Sequence, residues 1–375
     1  MKSKVIIFIV VFFWLVLTIS GIVGLVSFKK INDFSGCKYN GELVNGTEYV
    51  NGKYTYRYKQ KGLVNLYGVE WIDIDSDGWG VILTDRESTE PISGEICSKI
   101  NGKPIVSTSF MYAYSKAPSI DLSDFDTSNV EDMNSMFSWS EAEEIKGLEN
   151  INTSKVIDMS GMFNESKANV LDLSHFNTSN VTNMSSMFMN SLVETLNVSN
   201  FNTSKVTGMN FMFYQIPVEV LDVSSFDTSN VENMSYMFGG TKATEIKGLN
   251  KLNTSKVTNM DNMFEDTDAE VLDVSNFDTS NVESMKYMFN KSSATEIKGL
   301  DKFNTKRVID FSYMFALSNT ASIDLSTFEF GQLAYISQMF STCSAKEVYV
   351  KNQEVIDLFK SEAGFIPRNL VFKIK

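Results

Sequence analysis

Two residue types that metal sites and catalysis depend on are scarce in this chain. It has one histidine and three cysteines in 375 residues. A single histidine excludes a histidine-cluster zinc site, and no Cys-x-x-Cys pair supplies thiolate ligands instead. No phosphate-binding loop, nucleophile elbow or dinucleotide-binding fingerprint is present. The sequence therefore predicts a protein that is not an enzyme and, apart from the calcium candidate described below, it predicts no cofactor.

Basic residues are also in deficit. The chain has 33 lysines and arginines against 46 aspartates and glutamates, which gives a formal net charge of −13. Such a charge disfavours contact with nucleic-acid backbones and with anionic lipid headgroups. We therefore expect no nucleic-acid partner.

What the chain has in abundance is a repeat. The pair Met-Phe recurs every 25 or 26 residues from Met136 to Met339, and Met111-Tyr112 is a degenerate first copy. The 26-residue spacings occur where the following segment reads IKGL, which indicates a one-residue loop insertion. A fixed period of this size predicts a solenoid whose turns stack on one another, because no single turn can bury its apolar side alone.

The stretch 171–201 illustrates one turn. Its opening LDL alternates apolar residues with Asp172, as a strand does. A polar run with turn and capping chemistry follows. Val181, Met184 and Met187 then have the spacing of a short helical segment or of tight 3₁₀-like turns. Each turn is predicted to be a strand, a polar corner, a short helix and a return.

Residues at the same position of successive turns form columns. Seventeen of the nineteen methionines fall in two columns, which predicts a core rather than a copper site or an adaptable binding groove. A third column, three positions before the first apolar residue of each strand, holds small residues and predicts tight packing at the corner. The single histidine, His175, lies in a variable column and is predicted to be at the surface.

The outward column of the strands carries charged residues. Its members are Asp121, Lys146, Asp172, Asn197, Asp222, Lys247, Asp273, Lys298 and Asp324. No two neighbouring turns carry the same charge, whereas equal charges at that spacing would repel. One interpretation is that the column keeps the sheet soluble and in register. The other is that it forms a polar binding strip.

The turn LDLSxFxTSxVxxMxxMF resembles the repeat of the BspA-type leucine-rich-repeat surface proteins of bacteria, first noted in mycoplasmas. The resemblance covers residues 111–350. It implies a leucine-rich-repeat-like solenoid at the cell surface and a role in adhesion to host matrix, other cells or polymers. It transfers no catalytic residue, because the family has none in common.

Residues 5–28 are 24 positions without a charged side chain. This is enough to span a bilayer and longer than the apolar region of most cleaved signals. We predict that residues 1–30 are a signal anchor of a single-pass membrane protein, with residues 31–375 outside the cell. The alternative is a cleaved signal peptide.

Residues 31–108 lack the repeat and are predicted to form a small β-rich domain or cap. The segment DIDSDG, with Asp73, Asp75 and Asp77, has the carboxylate spacing of a calcium loop, but its twelfth position is Thr84 rather than glutamate. Calcium binding and a plain acidic turn both remain open. Calcium is the one cofactor the sequence suggests.

Two cysteines, Cys37 and Cys97, lie in the same domain. Outside the membrane they can pair and staple the cap, or remain as thiols. The third, Cys343, occupies a column of serines and is predicted to be a small core residue.

We therefore predict an α/β repeat solenoid of about ten turns at 109–345, with one continuous parallel sheet and an αβ cap at 346–375. The predicted function is binding of host-matrix proteins or neighbouring cells through the broad repeated face. A passive coat or spacer is the leading alternative. Polysaccharide binding is the second, and it is disfavoured because most recurring aromatic residues fall in core columns.

Overall fold

The fold is described from a computed structural model. It describes residues 37–60, 62–63, 73–74, 76–94 and 96–375, with the backbone alone for 62–63 and 73–74. The chain divides into two compact units, residues 1–33 and residues 34–375, and the description below concerns the second. The predicted anchor at 5–28 lies outside the described residues. Within the described ranges, no helix is both long and apolar enough to cross a bilayer.

The described chain opens with a small β-rich domain. Its strands are β1 (Glu48–Asn51), β2 (Tyr54–Lys59), β3 (Gly62–Leu63), β4 (Asp73–Ile74), β5 (Gly78–Leu83), β6 (Ile92–Ser93), β7 (Lys99–Ile100) and β8 (Lys103–Ser107). Five of them form one sheet in the order β1-β2-β5-β8-β7. The inward tyrosines of β2 and Trp79 of β5 are fully buried. A disulfide joins Cys37 to Cys97.

The rest of the chain is a solenoid in which short parallel strands stack on one another. They are β9 (Ser119–Asp121), β10 (Glu144–Lys146), β11 (Val170–Asp172), β12 (Thr195–Asn197), β13 (Val220–Asp222), β14 (Glu245–Lys247), β15 (Val271–Asp273), β16 (Glu296–Lys298), β17 (Ser322–Leu325), β18 (Glu347–Val350) and β19 (Val371–Ile374). With β6, which pairs with β9, the described chain has twelve such strands. The predicted solenoid is confirmed, and β6 and β19 extend it at its two ends.

The prediction of one continuous sheet is wrong, because the strands form separate groups. They pair as β6-β9-β10, β11-β12, β13-β14, β15-β16 and β17-β18-β19. Three of the four interruptions follow an IKGL strand. In these turns a left-handed glycine, such as Gly248, packs closely against the backbone of the preceding turn. The interruption after β12 has no such glycine, and nothing in the structure explains it.

A second column connects ten successive turns without interruption. Single parallel bridges link Ser107, Asp132, Asp158, Asn183, Gly208, Asn233, Asn259, Ser284, Asp310 and Tyr335 in succession. This column stands at the start of each Met-Phe segment. It supplies the continuity that the paired strands lack.

The Met-Phe segments are consecutive tight turns, which is the second of the two conformations that the spacing allowed, rather than the short helix predicted for each turn. The Met136 N–H binds the Met133 carbonyl three residues back, whereas the Phe137 N–H binds Met162 of the next turn at 2.8 Å. Two residues per segment adopt left-handed φ, for example Ser135 at 52° and Trp139 at 59°. A left-handed residue ends a helix. In these segments every second N–H group then points toward the neighbouring turn of the solenoid. Among the described residues, helix is therefore confined to short 3₁₀ segments and to the C-terminal cap.

The core consists of the predicted columns. The nine Met-Phe phenylalanines and Tyr112 form one buried stack, with ring centroids 5.3 to 6.4 Å apart and nearly parallel planes. The methionines of both columns are fully buried beside it, and the small column, from Ala117 to Ala345, is buried too. Cys343 is buried and His175 exposed, as predicted.

Helix α1 (Gln353–Glu362) closes the C-terminal end. It begins at Asn352, whose side chain accepts a hydrogen bond from the Val355 N–H, as a good N-cap does. The ring of Phe359 meets Phe340, the last ring of the stack, edge-on at 5.0 Å. The helix therefore covers the open end of the core, and β19 continues the strand column beyond β18.

Candidate functional site

The charged strand column lies on the surface, as its alternation requires. Its nine side chains are exposed or half-buried. The register places Asp121 opposite Lys146, Asp222 opposite Lys247, and Asp273 opposite Lys298. Asp172 lies opposite Asn197, whose amide donates to its carboxylate at 2.9 Å. Opposite or neutral partners thus face each other within each strand pair.

The aspartates of this column also have a structural role. The carboxylate of Asp222 accepts a hydrogen bond from the Ser224 N–H at 2.9 Å, and the same contact recurs in turns that carry aspartate or asparagine here. The hydrogen bonds from Ser224 hold the pKa of Asp222 below its usual value, and Lys247 lowers it further. This contact gives a free backbone N–H group a hydrogen-bond acceptor where the strand ends. For the aspartates, it supports the interpretation that the column keeps the sheet soluble and in register.

The lysines of the column do not hold the backbone in this way. Lys247 lies 3.9 Å from Glu245, and Lys298 lies 3.6 Å from Glu296, two residues earlier on the same exposed strand face. Exposed ion pairs of this kind contribute little to stability. The basic members are therefore available to a partner at low structural cost.

The same face also exposes apolar surface. Val170, Val220 and Val271 occupy one column beside the charges and are 60%, 43% and 41% exposed. Between β14 and β15, where strand pairing is interrupted, a cleft of about 500 Å³ opens, lined by Thr244, Glu245, Ile246, Glu270 and Val271. The face thus combines valines with regularly spaced charges.

A second basic column, at the polar corner, was not identified from the sequence. Lysine or arginine alternates there with asparagine. Each cation donates to the asparagine one turn earlier, as Lys205 does to Asn180 at 2.7 Å and Arg307 to Asn281 at 2.9 Å. The signal was the alternation of TSN and TSK along the repeat. The period of this column is two turns, like that of the strand column.

A row of partly exposed aromatic rings was also missed. It occupies the position directly before each Met-Phe pair and includes Phe211, Tyr236, Tyr287 and Tyr313. Phe211 stacks on Tyr236 with centroids 4.4 Å apart, and Tyr287 stacks on Tyr313 at 4.7 Å. The sequence signal was present in the triplets FMF and YMF. The aromatic residue varies from turn to turn, unlike the Met-Phe pair that follows it.

The calcium prediction falls largely outside what the structure describes. The side chain of Asp73 and all of Asp75 are outside the described residues. Asp77 lies 3.8 Å from the ammonium group of Lys103. Among side chains that are described, no group of three or more carboxylates, histidines or cysteines is placed to hold a metal ion.

Comparison with known families identifies the repeat. Residues 89–144, 138–248 and 241–353 each match the family described as Mycoplasma protein of unknown function, DUF285. The chain belongs to this family. The matches span nearly the whole solenoid, and the BspA-type resemblance of the repeat is confirmed.

One solved structure is similar over most of its length. It is the crystal structure of a leucine-rich repeat protein from Bacteroides ovatus ATCC 8483 at 1.19 Å resolution. It shares 14% identity, covers 90% of this chain and 100% of its own, and has a TM-score of 0.21. No curated protein matches the chain. The fold assignment therefore rests on the stacking and register described above.

Proposed function

We propose that this member of the DUF285 family is a non-enzymatic surface protein that binds a protein of the host matrix or of a neighbouring cell through its strand face. The observation that carries the proposal is the repetition on that face. Exposed valines recur in every second turn from β11 to β15, and opposite charges face each other in the strand pairs of the same stretch, with a spacing set by the stack. Repeated weak contacts on one rigid surface add up to useful affinity.

The location belongs to the same proposal. Residues 5–28 would anchor the chain in the cell membrane, and the strand face would then lie outside the cell. The disulfide between Cys37 and Cys97 supports this, because such bonds persist in oxidising surroundings. A mature N-terminus beyond residue 28, found by mass spectrometry of the native protein, would show cleavage and contradict the anchor.

The strand face is tested best through its lysines. We expect the double substitution Lys247→Glu and Lys298→Glu to weaken binding of the full chain to its partner by about tenfold or more, because charge reversal disrupts a complementary interface. The partner would be sought among immobilised fibronectin, laminin, collagen and intact cells. The thermal midpoint should stay nearly unchanged, since both lysines make only exposed ion pairs.

The corner column supplies a matched control. Lys205→Glu and Lys256→Glu make the same change of charge, also two turns apart, but outside the strand face. Binding should survive in this variant. Equal loss in both variants would indicate a response to net charge and reject the strand face as the binding surface. If the folded chain shows no saturable binding to any of these surfaces, a passive coat becomes the better explanation.

A further inference from the structure

Between Phe211 and Tyr313, the partly exposed aromatic row is interrupted at one place. Each residue of this row is held at a left-handed φ, 59° at Phe211, 57° at Tyr236, 56° at Tyr287 and 58° at Tyr313. Rings one turn apart therefore project alike and stack face to face. Between the two stacked pairs, the row position is Asn262, at 57°. One ring is missing from a sequence of five turns.

The missing ring leaves a slot in the surface. Tyr236 and Tyr287 line its two sides and Asn262 lies between them, and the slot has a volume of about 240 Å³. Two turns of the stack separate the tyrosines, or about 9–10 Å at the usual strand spacing. A flat ring placed midway would lie about 4.5–5 Å from each tyrosine, within the range of stacked rings. The slot thus has the dimensions of the ring that it lacks.

The remaining lining of the slot is polar. The Asn262 amide donates to the Glu265 carboxylate, and the Asp261 carboxylate accepts from the Ser284 hydroxyl and the Lys286 N–H. The side-chain carbonyl of Asn259 accepts from the Asp261 N–H at 2.8 Å.

Two donors at the slot are not used by other described residues. The Asn259 amide nitrogen donates to none of them. The Lys286 ammonium group lies 5.5 Å above the Tyr287 ring, and it has no carboxylate within ion-pair distance in the described chain. Donors and a carboxylate acceptor therefore converge on the space between two ring faces.

We propose that this slot binds a pyranose ring of a glycan. The two faces of the sugar would stack on Tyr236 and Tyr287, while its hydroxyl groups pair with Asn259, Asp261 and Lys286. In ligand sites, a small number of polar groups around an apolar surface fixes the orientation of the ligand. An aromatic side chain from a protein partner would fit between the rings but would leave these polar groups unpaired, which is costly. The site is separate from the strand face.

Polysaccharide binding is disfavoured by the sequence because most recurring aromatic residues fall in core columns. The core stack is indeed buried, but the row before it is a second set of rings that reaches the surface. A glycan-binding protein usually has exposed aromatic rings arranged in a row, and this row provides them on both sides of the slot.

The test fills the slot with the ring that is missing. The full chain, in a zwitterionic detergent, would be titrated with cellotriose, maltotriose and triacetylchitotriose, with binding followed by saturation-transfer NMR and calorimetry. At least one of these sugars should bind the unmodified chain. The substitution Asn262→Tyr should weaken that binding about tenfold or more, because the new ring takes the place of the sugar. Tyrosine fits this backbone position, since Tyr236 already adopts the same φ.

Ser186→Tyr is the matched control. Ser186 belongs to the same row, has φ of 58° and precedes Phe211 by one turn, so the substitution adds a ring outside the slot. Sugar binding should be unchanged in this variant. Binding that persists in Asn262→Tyr would overturn the proposal, as would binding of none of the three sugars. A tryptophan-containing peptide that binds in their place would show that the slot receives a protein side chain.

Discussion

Replacing Phe213 with alanine should lower the free energy of unfolding by about 3–5 kcal/mol, as large-to-small changes of buried aromatic residues do. Phe213 is fully buried and lies between Phe188, at 5.7 Å, and Phe238, at 6.0 Å. Each neighbouring ring is fixed by its own turn, so neither can move along the stack to fill the cavity. Urea unfolding of the full chain, followed by circular dichroism, measures the loss.

The triplet FMF contains its own control. Phe211 lies two residues earlier in the same turn but is only half-buried, with its ring in the outer row. Phe211→Ala removes the same side chain and should cost about 0.5–1.5 kcal/mol, mainly through the stacking on Tyr236. Similar losses from the two substitutions would contradict the assignment of the inner stack as the main stabilising column.

The inner columns could be predicted because the repeat shows them directly. A residue that must be apolar in every turn, such as the phenylalanine of each Met-Phe pair, is visible as a fixed letter at a fixed spacing. The same applies to the small column and to the charged strand column. Their environments repeat with the chain, so one sequence contains many independent samples of each position.

The conformation of the Met-Phe segment could not be predicted in this way. Apolar residues at i, i+3 and i+6 point to one side in a helix and also in a run of tight turns. Most of the residues that decide between them, such as Ser135 and Trp139, are neither glycine nor asparagine, which most often adopt left-handed φ. Their conformation is fixed by hydrogen bonds to the next turn, and these exist only once the solenoid has formed.

The aromatic slot was beyond reach for a related reason. Serine, glycine and glutamine also occur at the position of Phe211 and Tyr236 in other turns, so the column looked variable. Its meaning depends on which rings become neighbours and on the surface that they reach. Asn262 is conspicuous only after the stacking order is known. A residue that departs from the repeat in one turn, as Asn262 does, is not visible in the pattern that the turns share.

Gly248→Ala is expected to be nearly as damaging as the loss of a core ring, with a cost of about 2–5 kcal/mol. Gly248 is the glycine of an IKGL turn and has φ of 82°. A Cβ at this position would lie 2.4 Å from the Cα of Ser224 in the preceding turn. The substitution therefore adds a steric clash with rigid backbone to the cost of left-handed φ. Urea unfolding of the full chain provides the measurement.

Gly46 separates the two contributions. Its φ, 87°, is similar, but no atom lies within 4 Å of the position that a Cβ would take. Gly46→Ala should therefore cost only the backbone contribution, about 1–2 kcal/mol. An equal cost at both glycines would mean that the approach to Ser224 is not a real constraint. A larger cost at Gly248 would show that the 26-residue turns depend on their glycine for contact with the turn before, and that the extra residue is not a freely variable loop insertion.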